Sequence, residues 1–390
     1  MAIRVAHIIT RCIAGAGGVA VRGAVSLDPD EYTGTLITGS GGPLLDVARS
    51  HGLEVLVVPT LVSPISPRND AMALATLTKI LRQREIEIVH THSAKAGALG
   101  RVAAHRAGAS RIVHTLHGFP FHEFQPRATR SLYVEIERRL SHITDMFLAT
   151  GTAVAVEAIR RGIARPEQIR TIGPAVEARC VQLSPATRMR ARQILGLPAD
   201  AEVIGTVGRL DFQKAPEVLI EALARMRRPA VLVWAGDGPL MDQARRQVAR
   251  MRLGDRVLLL GNRTDVPDIL PAFDVFAMSS RYEGLPCVIV EAQACGIPVV
   301  ATAVNAVPDV VVPGESGLLV PPGRADLLAS AMDFALDNPH SAASWAQTAR
   351  TRLGSRYSAS TLGAVLSEVY RPGDLESRFE PLPVSRLEST

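Results

Sequence analysis

The chain has 390 residues, 47% of them apolar and 21% charged, which excludes a disordered or fibrous polypeptide and makes two domains the first expectation. The net charge of +5 is modest and spread along the chain, a balance suited to an anionic small molecule or an acidic membrane surface rather than to nucleic acid. No apolar run approaches the ~20 residues of a membrane span, because Glu291 and Asp309 interrupt the most apolar stretch.

Strand-like runs rich in β-branched residues alternate with helix-periodic segments from the first residues onward. The N-terminus enters the first run, Ile3–Thr10, with no cleavage-site pattern. The four cysteines have no CxxC or metal-ligand spacing and read as reduced thiols, so a cytoplasmic location is expected. Further strands are predicted at Thr33–Thr38, Leu53–Val58, Ile86–His90, Arg111–Thr115, Met146–Ala149 and Ile169–Ile172, with a helix over Met72–Arg84 among them. Between Gly173 and Asp200 prolines interrupt the pattern around one short helix, Ala186–Leu195. A second series follows at Val203–Val207, Ala230–Trp234, Val257–Leu260, Val275–Met278, Pro298–Ala301 and Gly317–Val320, with helices over Glu217–Met226 and Leu240–Met251. Thirteen strands exceed one comfortable sheet, so the expected fold class is α/β, with two doubly wound parallel-sheet domains at 1–175 and 176–370 and a mobile tail at 371–390. The helix Ala359–Tyr370 is free to pack on either domain.

In parallel sheets of this kind, ligands bind beyond the carboxyl ends of the strands, and the informative motifs fall there. Gly15-Ala16-Gly17-Gly18-Val19-Ala20 satisfies a dinucleotide fingerprint formally. Its glycines come four residues after the strand, however, and no acid ends the second strand at Thr38-Gly39-Ser40. What survives is a glycine loop opening a helix whose N–H groups are free to face a diphosphate, or a plain turn. Asp28-Pro29-Asp30 has the spacing of a metal site but sits in a polar turn on the opposite edge. His92 and Lys95 lie where a strand passes into a helix, and Lys95 opposes the helix dipole there. His114, His117, Phe119, Phe121 and His122 form a second crevice-edge run that reads as a binding wall; no acid or cysteine accompanies them at metal-ligand spacing.

The second series carries sharper signals. Arg209 and Lys214 follow the strand Val203–Val207, two fixed cations suited to a diphosphate. Glu283 and Glu291 stand eight residues apart around Gly284-Leu285-Pro286-Cys287-Val288, where Gly284 allows close backbone approach and Pro286 opens a helix. Two acids flanking a helix N-terminus are awkward for a bare phosphate but suit a ligand with hydroxyls at both ends and phosphates in its middle, namely a sugar nucleotide.

Taken together, the glycine loop, Arg209 with Lys214, Glu283-x7-Glu291 and Cys295-Gly296-Ile297-Pro298-Val299-Val300-Ala301 resemble the family-4 retaining glycosyltransferases, a bacterial "group 1" family, from Ile3 to Tyr370. The His117–His122 run is similar to a bacterial subgroup. The resemblance implies the GT-B fold, two Rossmann-like domains facing across a cleft, with the acceptor on the first and the nucleotide sugar on the second. It makes Arg209 and Lys214 diphosphate ligands and gives the donor-sugar hydroxyls to Glu283, helped by Gly284, Leu285, Pro286, Cys287 and Val288. Glu291 then holds the ribose, His117 lies near the donor sugar, and Gly17 and Gly18 approach the diphosphate from across the cleft. His92, Lys95, Phe119, Phe121 and His122 fall on the acceptor side. The implied reaction is retaining front-face transfer of a hexose-type sugar from a nucleoside diphosphate to a hydroxyl-bearing or other nucleophilic acceptor. The donor is then a co-substrate, and neither cofactor nor metal is called for. A sugar-nucleotide epimerase of the same architecture is the alternative. The acceptor is open between a small molecule, a lipid-linked glycan and a polysaccharide end. Arg127, Arg130, Arg138 and Arg139 in the helix Arg127–Ser141 permit peripheral contact with the inner face of a membrane. Two departures from the pattern are Gly173-Pro174-Ala175-Val176-Glu177 at the domain junction and Asn305-Ala306 where two glycines often stand.

Overall fold

The structure is a computed structural model that describes residues 2–13, 15–176 and 183–371. The expected tail falls outside the described residues apart from Arg371, as does Glu177 of the junction. Seven strands, β1 (Ile3–Ile9), β2 (Tyr32–Thr38), β3 (Glu54–Val57), β4 (Ile88–His92), β5 (Arg111–Leu116), β6 (Met146–Ala149) and β7 (Ile169–Thr171), form one parallel sheet in the order β3-β2-β1-β4-β5-β6-β7. Six more, β8 (Val203–Val207), β9 (Val231–Ala235), β10 (Val257–Leu259), β11 (Val275–Met278), β12 (Val299–Thr302) and β13 (Leu318–Val320), form a second in the order β10-β9-β8-β11-β12-β13. All thirteen expected strands are present, their ends moved by at most two residues. Helices cover both faces of each sheet, which is why the strands read as near-continuous apolar runs.

Alternation along the strands decides what each face meets. Val5, Ile88 and Val113 join the core on one face of the first sheet, and Ala6, Val89 and Ile112 join the core on the other. The helix Ala359–Tyr370 belongs to the first of these cores through Leu362, Leu366, Val369 and Tyr370, beside Val5 and Val19. The sequence reading includes this helix in 176–370 and leaves its packing open to either domain; in the structure it packs on the first sheet. The crossing is close because glycines face it: a Cβ on Gly23 would meet Leu366 at 3.0 Å, and one on Gly363 would meet the Ser26 carbonyl at 2.4 Å. The chain therefore passes between the sheets twice. The passages touch, with the Val176 N–H donating to the Tyr357 carbonyl at 2.9 Å.

Candidate functional site

The carboxyl ends of both sheets open on one cleft of about 650 Å³, lined from the first domain by Ser93, His117, Phe119 and His122 and from the second by Gln213, Tyr282, Glu283 and Asn305. On the second-domain wall, Lys214 follows β8 and Glu283 follows β11. The ammonium reaches Glu283 Oε1 at 2.5 Å, both side chains largely buried. Ser280 donates to the same oxygen at 2.6 Å, and the Gln213 amide donates to Oε2 at 2.9 Å. An ionised carboxylate accepts about four hydrogen bonds, so one position, on Oε2, stays open. The sequence reading gave Lys214 and Glu283 separate tasks; the structure brings them into one ion pair.

The turn carrying Glu283 is held by Asn305, whose side-chain oxygen accepts the Glu283 N–H at 2.8 Å. Asn305 adopts a left-handed φ of 44°, a conformation asparagine tolerates better than most residues. Its neighbour Ala306 is fully buried against Gly151 of the first domain, where a Cβ would come within 2.3 Å of the alanine's. The departure from two glycines therefore has a packing reason. Arg209 is exposed, with one long 3.4 Å contact to Asp211. Beyond Pro286 the helix Cys287–Ala294 starts without a side-chain cap, which leaves its first N–H groups for a ligand. Leu285 and Pro286 are buried, whereas Cys287, Val288 and Glu291 are half-buried. Burial and the neighbouring Glu291 push the Cys287 thiol up to about 11.

Across the cleft, Gly17 and Gly18 are buried in the first turn of the helix Ala16–Val25. A Cβ on Gly18 would strike the Arg22 guanidinium at 2.9 Å, so Arg22, one turn later, lies over the loop. Sequence reasoning missed this cation, although its i, i+4 spacing from Gly18 was there to read. The two domains meet at Gly284, where a Cβ would sit 2.1 Å from the His117 carbonyl oxygen. His122 stacks on Tyr282 with ring centroids 4.3 Å apart, and Phe124 meets Phe212 edge-on at 5.4 Å. Tyr282 and Gln213 are further cleft residues that the sequence did not single out, and Phe212 packs on Phe124 of the other domain; their partners lie on the other domain or on another strand.

Other expected residues land elsewhere. Lys95 is spent on Asp70, its ammonium 2.7 and 2.6 Å from the two carboxylate oxygens, and it does not line the cleft. Its partner lies 25 residues upstream on the helix Pro67–Gln83, which no local pattern signals. His92 is buried behind the cleft wall because β4 runs two residues further than expected. There its ring bonds His117 at 3.1 Å. Phe119 and Phe121 stack at 4.6 Å, and Phe121 is as much core as wall. Asp28-Pro29-Asp30 is a turn, with Asp28 accepting the Asp30 N–H at 2.9 Å.

Comparison with known proteins agrees with this geometry. The family model described as Glycosyltransferase Family 4 matches residues 15–179, and that described as Glycosyl transferases group 1 matches 187–352. The chain is 33% identical over 312 residues to the UDP-Gal:alpha-D-GlcNAc-diphosphoundecaprenol alpha-1,3-galactosyltransferase of Escherichia coli, covering 78% of this chain and 80% of that protein. It is 31% identical to a D-inositol 3-phosphate glycosyltransferase of Saccharomonospora viridis, over 77% of this chain and 73% of that one. Among solved structures, Anabaena Alr3699/HepE in complex with UDP-glucose superposes with a TM-score of 0.82 at 23% identity, over 94% and 98% of the two chains. WaaG, a glycosyltransferase of lipopolysaccharide biosynthesis, gives 0.75 at 16% identity over 95% of this chain and 100% of that one. These likenesses do not favour the epimerase alternative. With two Rossmann-like sheets facing across a cleft and both halves matched, the chain belongs to the group 1, family-4 glycosyltransferases of the GT-B fold.

Proposed function

We propose that the chain moves a sugar from a nucleoside-diphosphate donor to a hydroxyl of a lipid-linked acceptor, with retained anomeric configuration and no metal ion. The observation that carries this reading is the second-domain wall: Arg209 and Lys214 beside an uncapped helix N-terminus, with one open acceptor position on Glu283. The cations and N–H groups suit a diphosphate, and Glu283 Oε2 suits a sugar hydroxyl. As the bond from the anomeric carbon to the phosphate oxygen breaks, charge grows on the diphosphate, where Arg209 and Lys214 stabilise it. The acceptor oxygen bonds to that carbon from the same face, and a phosphate oxygen takes its proton. A covalent intermediate would need a free carboxylate in the cleft. Of the carboxylates lining it, Glu283 is tied to Lys214, Glu137 to Arg101 and Glu157 to Arg160 and Arg161, while Glu123 is exposed on its loop.

The Escherichia coli relative is named for a diphosphoundecaprenol acceptor, and the first-domain end of the cleft fits an anionic lipid head. Arg130, Arg160 and Arg161 line it. Beside it the helices Arg127–Ser141 and Thr152–Arg160 expose Leu132, Ile136, Val156 and Ile159, an apolar patch bordered by arginines that suits peripheral contact with an anionic membrane. No described helix is long and apolar enough to cross one.

The test is incubation with a panel of nucleoside-diphosphate sugars and a short-chain lipid diphosphate sugar in EDTA, followed by NMR of the product. Transfer in EDTA, with the donor's anomeric configuration preserved, is expected. Inversion, activity restored only by manganese, or a changed sugar on intact nucleotide would overturn the reading.

A further inference from the structure

Behind His117 the structure holds four aromatic side chains that the transfer chemistry above does not use. β1 and β4 pair in parallel with His7 opposite His90, and β4 pairs with β5 so that His92 stands opposite Thr115. Period-two alternation puts His7, His90, His92 and Thr115 on one face of the sheet. It sends Thr91 and His114 to the other face, where they bond each other at 2.9 Å. The helix Ala359–Tyr370 covers the first face and lowers Tyr370 into the group.

The result is an unbranched chain of hydrogen bonds. Thr115 Oγ1 lies 2.6 Å from His90 Nε2, and His90 Nδ1 lies 2.6 Å from the Tyr370 hydroxyl. That hydroxyl lies 3.2 Å from His7 Nε2, and His7 Nδ1 lies 3.2 Å from His92 Nε2. His92 Nδ1 lies 3.1 Å from His117 Nε2. His117 Nδ1 is left for the cleft, which the ring lines. Apart from His117, every member is at most 2% exposed. Burial holds the His7 ring down to about 3 and His117 to about 4, and holds His90 and His92 well below the ordinary value, so all four rings are neutral. Burial likewise raises the Tyr370 hydroxyl well above its ordinary value, so it keeps its proton.

A neutral imidazole has one N–H and one bare nitrogen. Once one bond in such a chain is given a direction, the others follow. Thr115 supplies the direction. Among the described residues its buried hydroxyl has one neighbouring acceptor, the His90 nitrogen, and a buried O–H left unbonded is costly. Thr115 therefore donates to His90 Nε2, His90 Nδ1–H to Tyr370, Tyr370 O–H to His7 Nε2, His7 Nδ1–H to His92 Nε2, and His92 Nδ1–H to His117 Nε2. The proton of His117 is left on Nδ1.

We propose that this chain is a positioning relay: Thr115, through His90, Tyr370, His7 and His92, fixes His117 as the Nδ1–H tautomer, so that it presents a hydrogen-bond donor to the substrate in the cleft. The substrate part of the statement rests on the transferase reading; the tautomer part does not. His7, His90 and His92 could instead hold a metal ion, since a nitrogen of each lies within 4.8 Å of the others. That arrangement would need three bare nitrogens turned to one point and would break the chain, and no carboxylate or thiolate is among those three ligands to offset the charge.

The experiment is 15N NMR of histidine-labelled protein, with metal analysis of the same sample, for the wild type, Thr115→Val, Thr115→Ser and Tyr370→Phe. Wild-type His7, His90, His92 and His117 are expected as four Nδ1–H tautomers. Thr115→Val and Tyr370→Phe should leave His117 averaged between tautomers, and Thr115→Ser should restore it. In the transfer assay, Thr115→Val should lower turnover by about tenfold while Thr115→Ser stays within about twofold of wild type. An Nε2–H state at His117, a tautomer unmoved by Thr115→Val, or a stoichiometric metal with coordinated ring shifts would overturn the relay. A wild type that transfers no sugar would fail the transferase reading alone, because the tautomer measurement still decides the relay.

Discussion

Lys214 and Glu283 neutralise one another before any ligand arrives, so neither can be changed alone without altering what the other offers. Lys214→Ala removes a charge that should act mainly on the departing diphosphate. Turnover is expected to fall by about 100-fold, the scale of losing one preorganised donor, with weaker binding of free nucleoside diphosphate. Glu283→Gln frees the ammonium, so nucleoside diphosphate affinity should hold or rise slightly while transfer and sugar choice suffer. The double variant should fall short of the product of the two losses, because contacting residues are not additive. Titration calorimetry and steady-state kinetics measure all three, and strict additivity would mean that the pair does not act as a unit. Glu283, Gly284, Lys214 and His117 were legible in the sequence because each sits where a strand ends and a turn begins, a purely local signal. Arg22, one turn from Gly18, was within local reach as well, but Gln213, Tyr282 and the hydrogen bond that the Glu283 N–H donates to Asn305 were not, because what defines them is a partner far along the chain. The same reason misdirected Lys95: its dipole-opposing position was visible and Asp70 was not.

Strands were the most legible elements, since a parallel strand buried on both faces is an apolar run bounded by turn residues. The destination of the last helix was less so. Its apolar face shows that it must be covered, but the covering surface is selected by the clearance at Gly23 and Gly363. Leu366 is 1% exposed in that contact. Leu366→Ala is expected to cost about 2–5 kcal/mol of stability in urea unfolding, whereas a loss under ~0.5 kcal/mol would mean that the helix is not integral to the first domain. The histidines of β1, β4, β5 and the turn that follows β5 make a further prediction at this scale. His7, His90, His92, His114 and His117 all have folded-state values below the ~6.5 of a free imidazole. The unfolded chain therefore binds more protons between about pH 6.5 and 4, and stability is lost as pH falls through that window. Arg101, which faces His114, works in the same direction. Each ring adds a slope of about 1.4 kcal/mol per pH unit, so the urea midpoint should drop steeply from pH 6.5 to 5. A flat midpoint would show that the rings are hydrated.

At the scale of the whole molecule, the domains touch where there is no room for a side chain. Gly284→Ala places a Cβ against the His117 carbonyl, so the cleft can no longer narrow fully. Nucleoside diphosphate should still bind the second-domain wall within about threefold, while transfer falls by about 100-fold, as expected when reacting groups are held ~1 Å out of place. Small-angle scattering at saturating nucleotide should give the variant a larger radius of gyration than wild type. Equal radii and equal turnover would show that the contact is incidental.

The double passage between the sheets bears on how such a cleft can work. One linker would leave the second domain free to swing, twist and slide. Two linkers side by side, stitched where Val176 donates to the Tyr357 carbonyl and pressed together where the Tyr357 ring fills the space beside Gly173, act as a pair of pivots that define an axis. Bending about that axis keeps both linkers at their length, whereas torsion would stretch one against the other. Any opening and closing of the cleft would then reduce to a single angular coordinate, and a closure about it would return Lys214 and Glu283 to the same place opposite Gly18 and His117.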